Sequence, residues 1–388
     1  MKKRHNLPLI LAIDTSCDET SVAVVSGVEY WSNVVASQTE LHRPYGGVFP
    51  TVAKLAHQQN IGPAIALALK QAGVSANELS AVAVTVGPGL APALEVGIAA
   101  ARSFAQTHHL PLIPANHLEG HVLSVFARPR PRVQSQQIRV PQFDISQHLP
   151  ALALIISGGN SLFVKVELLS STSTSAIPQP NRFDRVPNLK LDQPFDSDSQ
   201  SWQPQLHYTI LGRTLDDAAG ECLDKVGRML NLGYPAGPVI EEFAKLGNPH
   251  AFDFPLPLTQ TKSYDVSFSG MKTHARNLVE KLGGADSLSR QQIYDFCACL
   301  QTAVFRHLMY KFEKILSDHP GEFKEIWLGG GVAANMALRK TLRTTIKKHS
   351  SLPLRTPHSK RLCGDNAAMI GIQLSASNYA LKNLSISS

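Results

Sequence analysis

Two histidines four residues apart, in His117-Leu-Glu-Gly-His121, place both imidazoles on one face of a helix, about right for reaching a single divalent cation. The competing reading is one core and one surface histidine with no metal. A zinc peptidase carries its glutamate directly after the first histidine, but here Leu118 holds that place and Glu119 points elsewhere, which argues against peptidase chemistry. Two protein ligands hold a metal weakly, so a third must come from afar. Asp365, in Cys363-Gly-Asp-Asn-Ala-Ala-Met369, is the best remote candidate, although an aspartate before an apolar helical run also serves as an N-cap. His117, His121 and Asp365 would form a two-histidine, one-carboxylate set with open positions, suited to iron(II) or zinc.

Three further segments put ligand-holding chemistry at strand ends. In Asp14-Thr-Ser-Cys-Asp-Glu-Thr20 the hydroxyls of Thr15 and Ser16 can hold a phosphate, and the carboxylates of Asp18 and Glu19 can bind its metal or take a proton; an ordinary polar turn is the alternative. Ile156-Ser-Gly-Gly-Asn160 follows an apolar run, and its paired glycines Gly158 and Gly159 allow close approach to the backbone, as a plain tight turn also would. Gly329, Gly330 and Gly331 follow another apolar run, where free backbone N–H groups can converge on an anion or a helix can pack tightly on a strand. Between these lie Asp216, Asp217, Glu221 and Asp224 at helical spacing, bounded by a Gly/Pro run from Gly233, with a solvated helix face as the simpler account.

The elements that must position these groups are those of an α/β protein. Strand-like runs recur at Leu9–Ile13, Ser21–Val25, Ala81–Val86, Ala151–Ile156 and Ile326–Leu328, with helical periodicity between several of them. The clearest helix spans about Gln291 to Leu316 and is closed by Pro320 and Gly321. At 388 residues and 43% hydrophobic, two domains are expected, joined by a linker at 128–150. A surface insertion is expected at about 167–207, where a Ser/Thr run and several prolines bury little apolar area. The linker opens Arg128-Pro-Arg-Pro-Arg132, which could meet phosphates or simply be solvated. Five scattered cysteines suit a reducing cytoplasm, with Cys297 and Cys299 read as small buried hydrophobes. No run is long and apolar enough to span a membrane, and a formal charge of +7 permits a nucleic-acid partner without requiring one.

Taken together the motifs resemble those of the universal tRNA threonylcarbamoyladenosine transferase family. The segments that carry the likeness are Asp14–Thr20, Tyr45-Gly-Gly-Val48, Gly87-Pro-Gly-Leu90, Asn116–His121, Ser157-Gly-Gly159, Leu215–Glu221, Asp224-Lys225, Gly233-Tyr-Pro235, Phe268-Ser-Gly-Met-Lys272, Gly329–Val332 with Asn335, and Asp365–Met369, in family order over nearly the whole chain. The resemblance implies an actin-like fold of two related α/β domains, residues 1–127 completed by about 365–388 and residues 151–364, with a nucleotide in the cleft between them. It matches His117, His121 and Asp365 to the metal ligands, and Ile156, Ser157, Gly158, Gly159, Asn160, Asp224, Gly237 and Asn335 to positions holding the adenylate substrate. By the same likeness, threonylcarbamoyl-AMP, made by a separate enzyme, donates to the N6 amine of the adenosine 3′ of the anticodon in tRNAs reading codons that begin with A. Glu19 or Asp18 is the expected proton acceptor. A paralogous actin-like subunit and a small ATPase are the partners implied.

Three positions depart from the family pattern. Asn160 stands where a histidine is common, and Thr51 and Leu55 replace a common glutamate and arginine. An actin-like sugar kinase or ATPase would use similar phosphate turns, yet it has no need of the His-x-x-x-His pair with a remote aspartate.

Overall fold

The computed structural model describes residues 7–131, 143–168 and 206–376. Strand β1 (Ile10–Asp14) is buried along its whole length, which explains an unbroken apolar run in place of an alternating one. It pairs antiparallel with β2 (Glu19–Ser26), and β2 pairs antiparallel with β3 (Glu29–Ser37). A short helix α1 (Thr39–His42) and the long α2 (Pro50–Ala72) lead to β4 (Ala81–Gly87), which lies parallel to β1. Helix α3 (Ala91–His108) then leads to β5 (Leu112–Asn116), parallel to β4. Helix α4 (His117–Leu123) follows at once, and β6 (Arg128–Pro129) pairs with the start of β3, giving the order β5-β4-β1-β2-β3-β6.

The plan then repeats. Strands β7 (Ala151–Ile156), β8 (Ser161–Leu168) and β9 (Leu206–Arg213) form an antiparallel meander. Helices α5 (Ala219–Met229), α6 (Gly237–Ala244), α7 (Ser269–Lys281) and α8 (Arg290–Asp318) precede β10 (Glu325–Gly329), which is parallel to β7. Helix α9 (Met336–His349) crosses to β11 (Leu354–Arg355), completing the order β11-β10-β7-β8-β9, and α10 (Ala367–Ala376) follows. The long helix expected at 291–316 is α8, capped by Ser289, whose hydroxyl accepts from Gln292 N.

Three apolar layers hold the sheets. Helices α2 and α3 cover the outer face of the first sheet, and α5 to α9 cover that of the second, where Cys297 and Cys299 are buried. The inner layer packs Ala12 and Ala23 of the first sheet and Ala153 and Trp327 of the second around Val122 of α4 and Ile370 of α10. The two helices that carry the histidine pair and follow Asp365 thus lie between the sheets.

Several boundaries differ from expectation. Glu19 and Thr20 belong to β2 and not to the preceding turn, and α5 begins at Ala219, so Asp216 and Asp217 precede the helix. Asp216 instead accepts from Phe268 N and Ser269 N at 2.7 and 3.2 Å, capping α7. The ends of the expected insertion are paired strand residues, Glu167 with His207 and Leu168 with Leu206; residues 169–205 lie outside the described residues, as do 132–142 of the linker and 377–388.

Candidate active site

The side chain of Asn116, the last residue of β5, accepts from Leu118 N and Glu119 N at 2.9 and 3.3 Å and so starts α4 at His117. One helical turn then sets His117 and His121 side by side, ring centroids 4.6 Å apart. Asp365 arrives just before α10, whose first amides are held by the first sheet: Ser21 Oγ accepts from Ala367 N at 2.8 Å and Asn33 Oδ1 from Ala368 N at 3.3 Å. Asp365 Oδ1 lies 3.1 Å from His121 Nε2 and 3.6 Å from His117 Nε2. The structure therefore brings all three sequence candidates together, with one ligand atom of each within 4.8 Å of the others. Asp14 stands behind them, its Oδ1 3.7 Å from His117 Nδ1. Glu119 faces away, accepting from Gln373 Nε2 at 2.8 Å, so no carboxylate of α4 joins the histidines as a peptidase base would.

Charges in this set are strongly coupled. Burial opposes a charge on His117, but the carboxylates of Asp365 and Asp14 outweigh it and push its pKa up to about 9. Burial likewise disfavours a charged Asp365, yet His117 and His121 pull it down to about 2. Asp14 Oδ1, His117 Nδ1 and His121 Nδ1 are buried with no hydrogen-bond partner among the described residues. Two imidazoles and a carboxylate converging in this way fit a divalent cation of the iron or zinc type.

The first turn is only partly available to a ligand. Thr15 is diverted: its buried hydroxyl donates to Ala93 O at 2.9 Å, pinning the turn to α3, so it does not serve as a phosphate-holding group. Ser16 Oγ donates to Asp14 Oδ2 at 3.3 Å. Asp18 is buried, and Glu19 is raised well above the usual carboxylate range by burial and by the charges of Asp18 and Asp365.

The second-half turns divide between open and packed positions. Ser157 N donates to Asn160 O at 2.8 Å and Asn160 N to Ser157 Oγ at 3.0 Å, closing a tight turn that leaves Gly158 and Gly159 exposed, with nothing within 4 Å of where a Cβ would stand. Gly331 and Gly237 are equally open. Gly329 and Gly330 are not: a Cβ there would stand 2.4 Å from His121 O and 2.5 Å from Ile156 O, so close packing alone requires glycine at these two. Asn335 caps α9, its Oδ1 accepting from Ala337 N and Leu338 N while its Nδ2 donates to Gln301 Oε1 at 2.7 Å, which commits most of its amide to the fold. Asp224 Oδ1 accepts from Ala236 N and Gly237 N at 2.8 and 3.1 Å, fixing the start of α6, and burial raises its carboxyl.

The comparisons with known proteins agree with this geometry. The family model described as tRNA N6-adenosine threonylcarbamoyltransferase matches residues 29–203 and 198–372. Proteins of that name from Cyanothece sp. and Streptococcus mutans are 39% and 40% identical, over 95% and 93% of this chain and 91% and 90% of their own lengths. The chain belongs to the tRNA N6-adenosine threonylcarbamoyltransferase family. It is an enzyme, a transferase acting in tRNA modification. Among solved structures, T. kodakarensis HypF superposes with a TM-score of 0.54 at 13% identity, covering 97% of this chain and 49% of its own. The likeness is one of fold, and the duplicated sheet is the actin-like plan.

Residues outside the motifs also support the threonylcarbamoyltransferase site. His57, on α2, bonds Cys17 O through Nε2 at 3.0 Å and Thr20 Oγ1 through Nδ1 at 2.8 Å, so one imidazole clamps both ends of the acidic turn. Gln38 N donates to Asp18 O at 3.0 Å, and Gln38 Oε1 meets His42 Nε2 at 3.2 Å. The sequence holds one signal for His57: a polar residue in the stripe Ala53, Ile61, Ala64, Ala68 of an otherwise apolar helix face. Across the cleft, Arg228 Nη1 donates to Gly46 O at 3.1 Å and Arg43 Nε to Tyr234 O at 3.4 Å, joining the Tyr45-Gly-Gly-Val48 segment to the second half.

Proposed function

We propose that the cleft between the sheets transfers threonylcarbamoyl from threonylcarbamoyl-AMP to the N6 amine of the adenosine 3′ of the anticodon in tRNAs that read codons beginning with A. The observation that carries this reading is the convergence of His117, His121 and Asp365 beside the acidic turn of β1, within a chain of this family. Those three residues would hold one divalent cation, iron(II) or zinc. When bound, such a cation supplies Lewis-acid polarisation and offsets negative charge on the donor.

The remaining work falls to the chain's own groups. The exposed backbone at Gly158, Gly159 and Gly331 offers approach for the phosphate of the adenylate, with Asn160 closing the turn. Asp224, with Gly237, shapes the wall on which the adenosine part would rest, and the second N–H of Asn335 Nδ2 is the one part of that amide its fold contacts leave over. An aromatic amine is a weak nucleophile, so its proton needs an acceptor as the new C–N bond forms. Asp18 and Glu19, adjacent at the start of β2, are the candidates, and Glu19 is the one whose carboxyl burial and the charges of Asp18 and Asp365 raise well above the usual range. Full transfer by Glu19→Gln would exclude it.

A paralogous actin-like subunit and a small ATPase complete the proposal. Leu41, Tyr45, Phe49 and Leu55, about half exposed beside and on α2, form an apolar face that a partner subunit would cover. No described helix is long and apolar enough to cross a membrane, in keeping with a cytoplasmic site of action. The test is transfer of labelled threonine to unmodified tRNA, with the donor-forming enzyme and partner proteins present, comparing wild type with His117→Ala. Transfer by the wild type alone supports the reading, and a wild type that transfers nothing sinks it.

A further inference from the structure

Positive charge is unevenly spread along this chain. Residues 337–364 hold eight Lys and Arg and residues 120–143 hold four arginines, and neither stretch contains an Asp or Glu. Of 37 basic and 30 acidic residues overall, these twelve bases leave the rest of the chain with 25 against 30, a net −5. A protein that is acidic apart from two stretches has concentrated its cations, and the fold determines whether they act together.

It brings residues 125–129 of one stretch and 356–358 of the other to one place. Val125, Ala127, Arg128 and Pro129 line a cavity with Thr356 and His358, so the edge of the first sheet at β6 meets the chain leaving β11 at the edge of the second. Arg128, Arg130, His358, Lys360 and Arg361 are all exposed. No ion pair to any of these five is present among the described residues, and Glu29 on β3 feels Arg130 and Arg128 without pairing with either. Other cations of the same stretches are already used: Arg355 pairs with Glu325, and Arg339 donates to Ala333 O and Cys363 Sγ.

The exposed cations are also held in place. Arg128 N and Arg130 N donate to Val28 O and Tyr30 O at 2.9 and 3.0 Å, so the two arginines sit two apart on one extended edge, with Pro129 between them fixing the backbone. The Arg130 guanidinium lies 3.6 Å from the centroid of the Trp31 ring, a contact that orders the side chain while leaving its N–H donors free. Lys360 and Arg361 belong to a 3-10 turn, Lys360–Leu362, anchored by buried Leu362. Asp365 lies five positions after Lys360, at most about 18 Å between Cα atoms, so this edge adjoins the cleft.

We propose that the edge formed by Arg128, Arg130, His358, Lys360 and Arg361 binds the phosphate backbone of the RNA substrate and sets its position relative to the cleft. Regularly spaced phosphates suit unpaired cations carried on two backbone segments that meet at one cavity, with Arg128 on one side of it and His358 on the other. The inference rests on the tRNA-modifying reading above.

Binding of unmodified tRNA to the full chain, with its partner proteins, over roughly 50 to 200 mM salt tests it. Two double variants, R128Q/R130Q and K360Q/R361Q, are compared with wild type and with Lys70→Gln, an exposed cation on α2 away from this edge. Each double variant should bind tRNA roughly tenfold more weakly and lose about 1.8 from the slope of log affinity against log salt, near 0.9 for each lost phosphate contact. Lys70→Gln should match wild type, and all variants should keep wild-type melting temperature and metal content, which separates lost RNA contact from misfolding. Wild-type affinity and slope in both double variants overturn the proposal even if the enzyme is active. The same holds if tRNA binding survives while assembly with an acidic protein partner is lost. A wild type that binds tRNA but transfers nothing counts against the catalytic reading and leaves the binding result to decide this one.

Discussion

Strands β1 and β7 occupy equivalent places: each has an antiparallel neighbour on one side, β2 or β8, and a parallel neighbour on the other, β4 or β10. A close glycine contact at the ends of these strands is also shared. A Cβ on Gly89, after β4, would stand 2.5 Å from Ser16 O, and one on Gly330, after β10, would stand 2.5 Å from Ile156 O. The side chains of the two turns nevertheless diverge. The β1 turn carries buried Asp14, which faces His117, and buried Asp18, with Glu19 opening β2, whereas the β7 turn carries Gly158 and Gly159 and leaves backbone open. A duplicated backbone has thus been kept while its side chains have diverged, and on the proposed reading cation and proton handling would fall to the first half and anion handling to the second.

The largest expected effect tests the first half of that division. Replacing His121 or Asp365 by alanine should strip the divalent metal, measured by elemental analysis, and lower transfer by more than roughly a hundredfold, since residues that merely orient ligands already cost 10–100-fold. Retention of a stoichiometric metal in Asp365→Ala would break the assignment. Next in size is a stability effect with no chemistry attached. Gly330→Ala meets a backbone carbonyl and must hold a φ of +88°, so it should cost about 2 kcal/mol or more in denaturant unfolding, while Gly331→Ala, with open space, should cost less than about 0.5 kcal/mol. Equal losses at the two positions would show that the glycine turn is not divided as described.

That adjacent pair also shows where sequence reasoning reaches its limit. The main strands, the long helix and the His117–His121–Asp365 set are legible because apolar runs, helical spacing and metal-donor types are local or few enough to enumerate. Three consecutive glycines look alike in sequence, and only the approach of His121 O and Ile156 O distinguishes two packing positions from one open one. Thr15, Asn335 and Asp224 look ligand-facing in the sequence, but their oxygens are bonded to Ala93, to the first amides of α9, and to the start of α6. Such commitments depend on partners 78 residues away in the case of Thr15, which no motif records. The short β6 and β11 escape a sequence reading because two residues carry no periodicity.

A smaller effect sharpens the second half's role. Gly159→Ala should leave the melting temperature within about a degree, because nothing crowds the added methyl, yet raise the apparent KM for the adenylate donor roughly tenfold, about 1.4 kcal/mol. An unchanged KM would remove this turn from the donor site.

The smallest effect contrasts the inner faces of the two sheets. Towards the shared core β4 presents Ala81 and Ala83, whereas β10 presents Trp327 with buried Glu325 bonded to it, so one sheet offers methyl groups there and the other an ion-paired cluster. Glu325 accepts from Trp327 Nε1 at 2.9 Å and pairs with Arg355 and with His148, 2.9 Å away. Burial opposes its charge, but Arg355, Trp327 and His148 hold its carboxyl below the usual range. Since the folded-state pKa lies below that of the unfolded chain, this cluster stabilises fully above the ordinary glutamate value of about 4.3 and loses its contribution as pH falls through the lower folded value. Glu325→Gln should therefore be about 1 kcal/mol less stable than wild type at pH 7, and the two should converge as the pH drops below about 4. A constant gap across that range would mean that glutamine's shape, and not the lost charge, sets the difference, while Ala81→Ser, in the half without the cluster, should add no acid-dependent term.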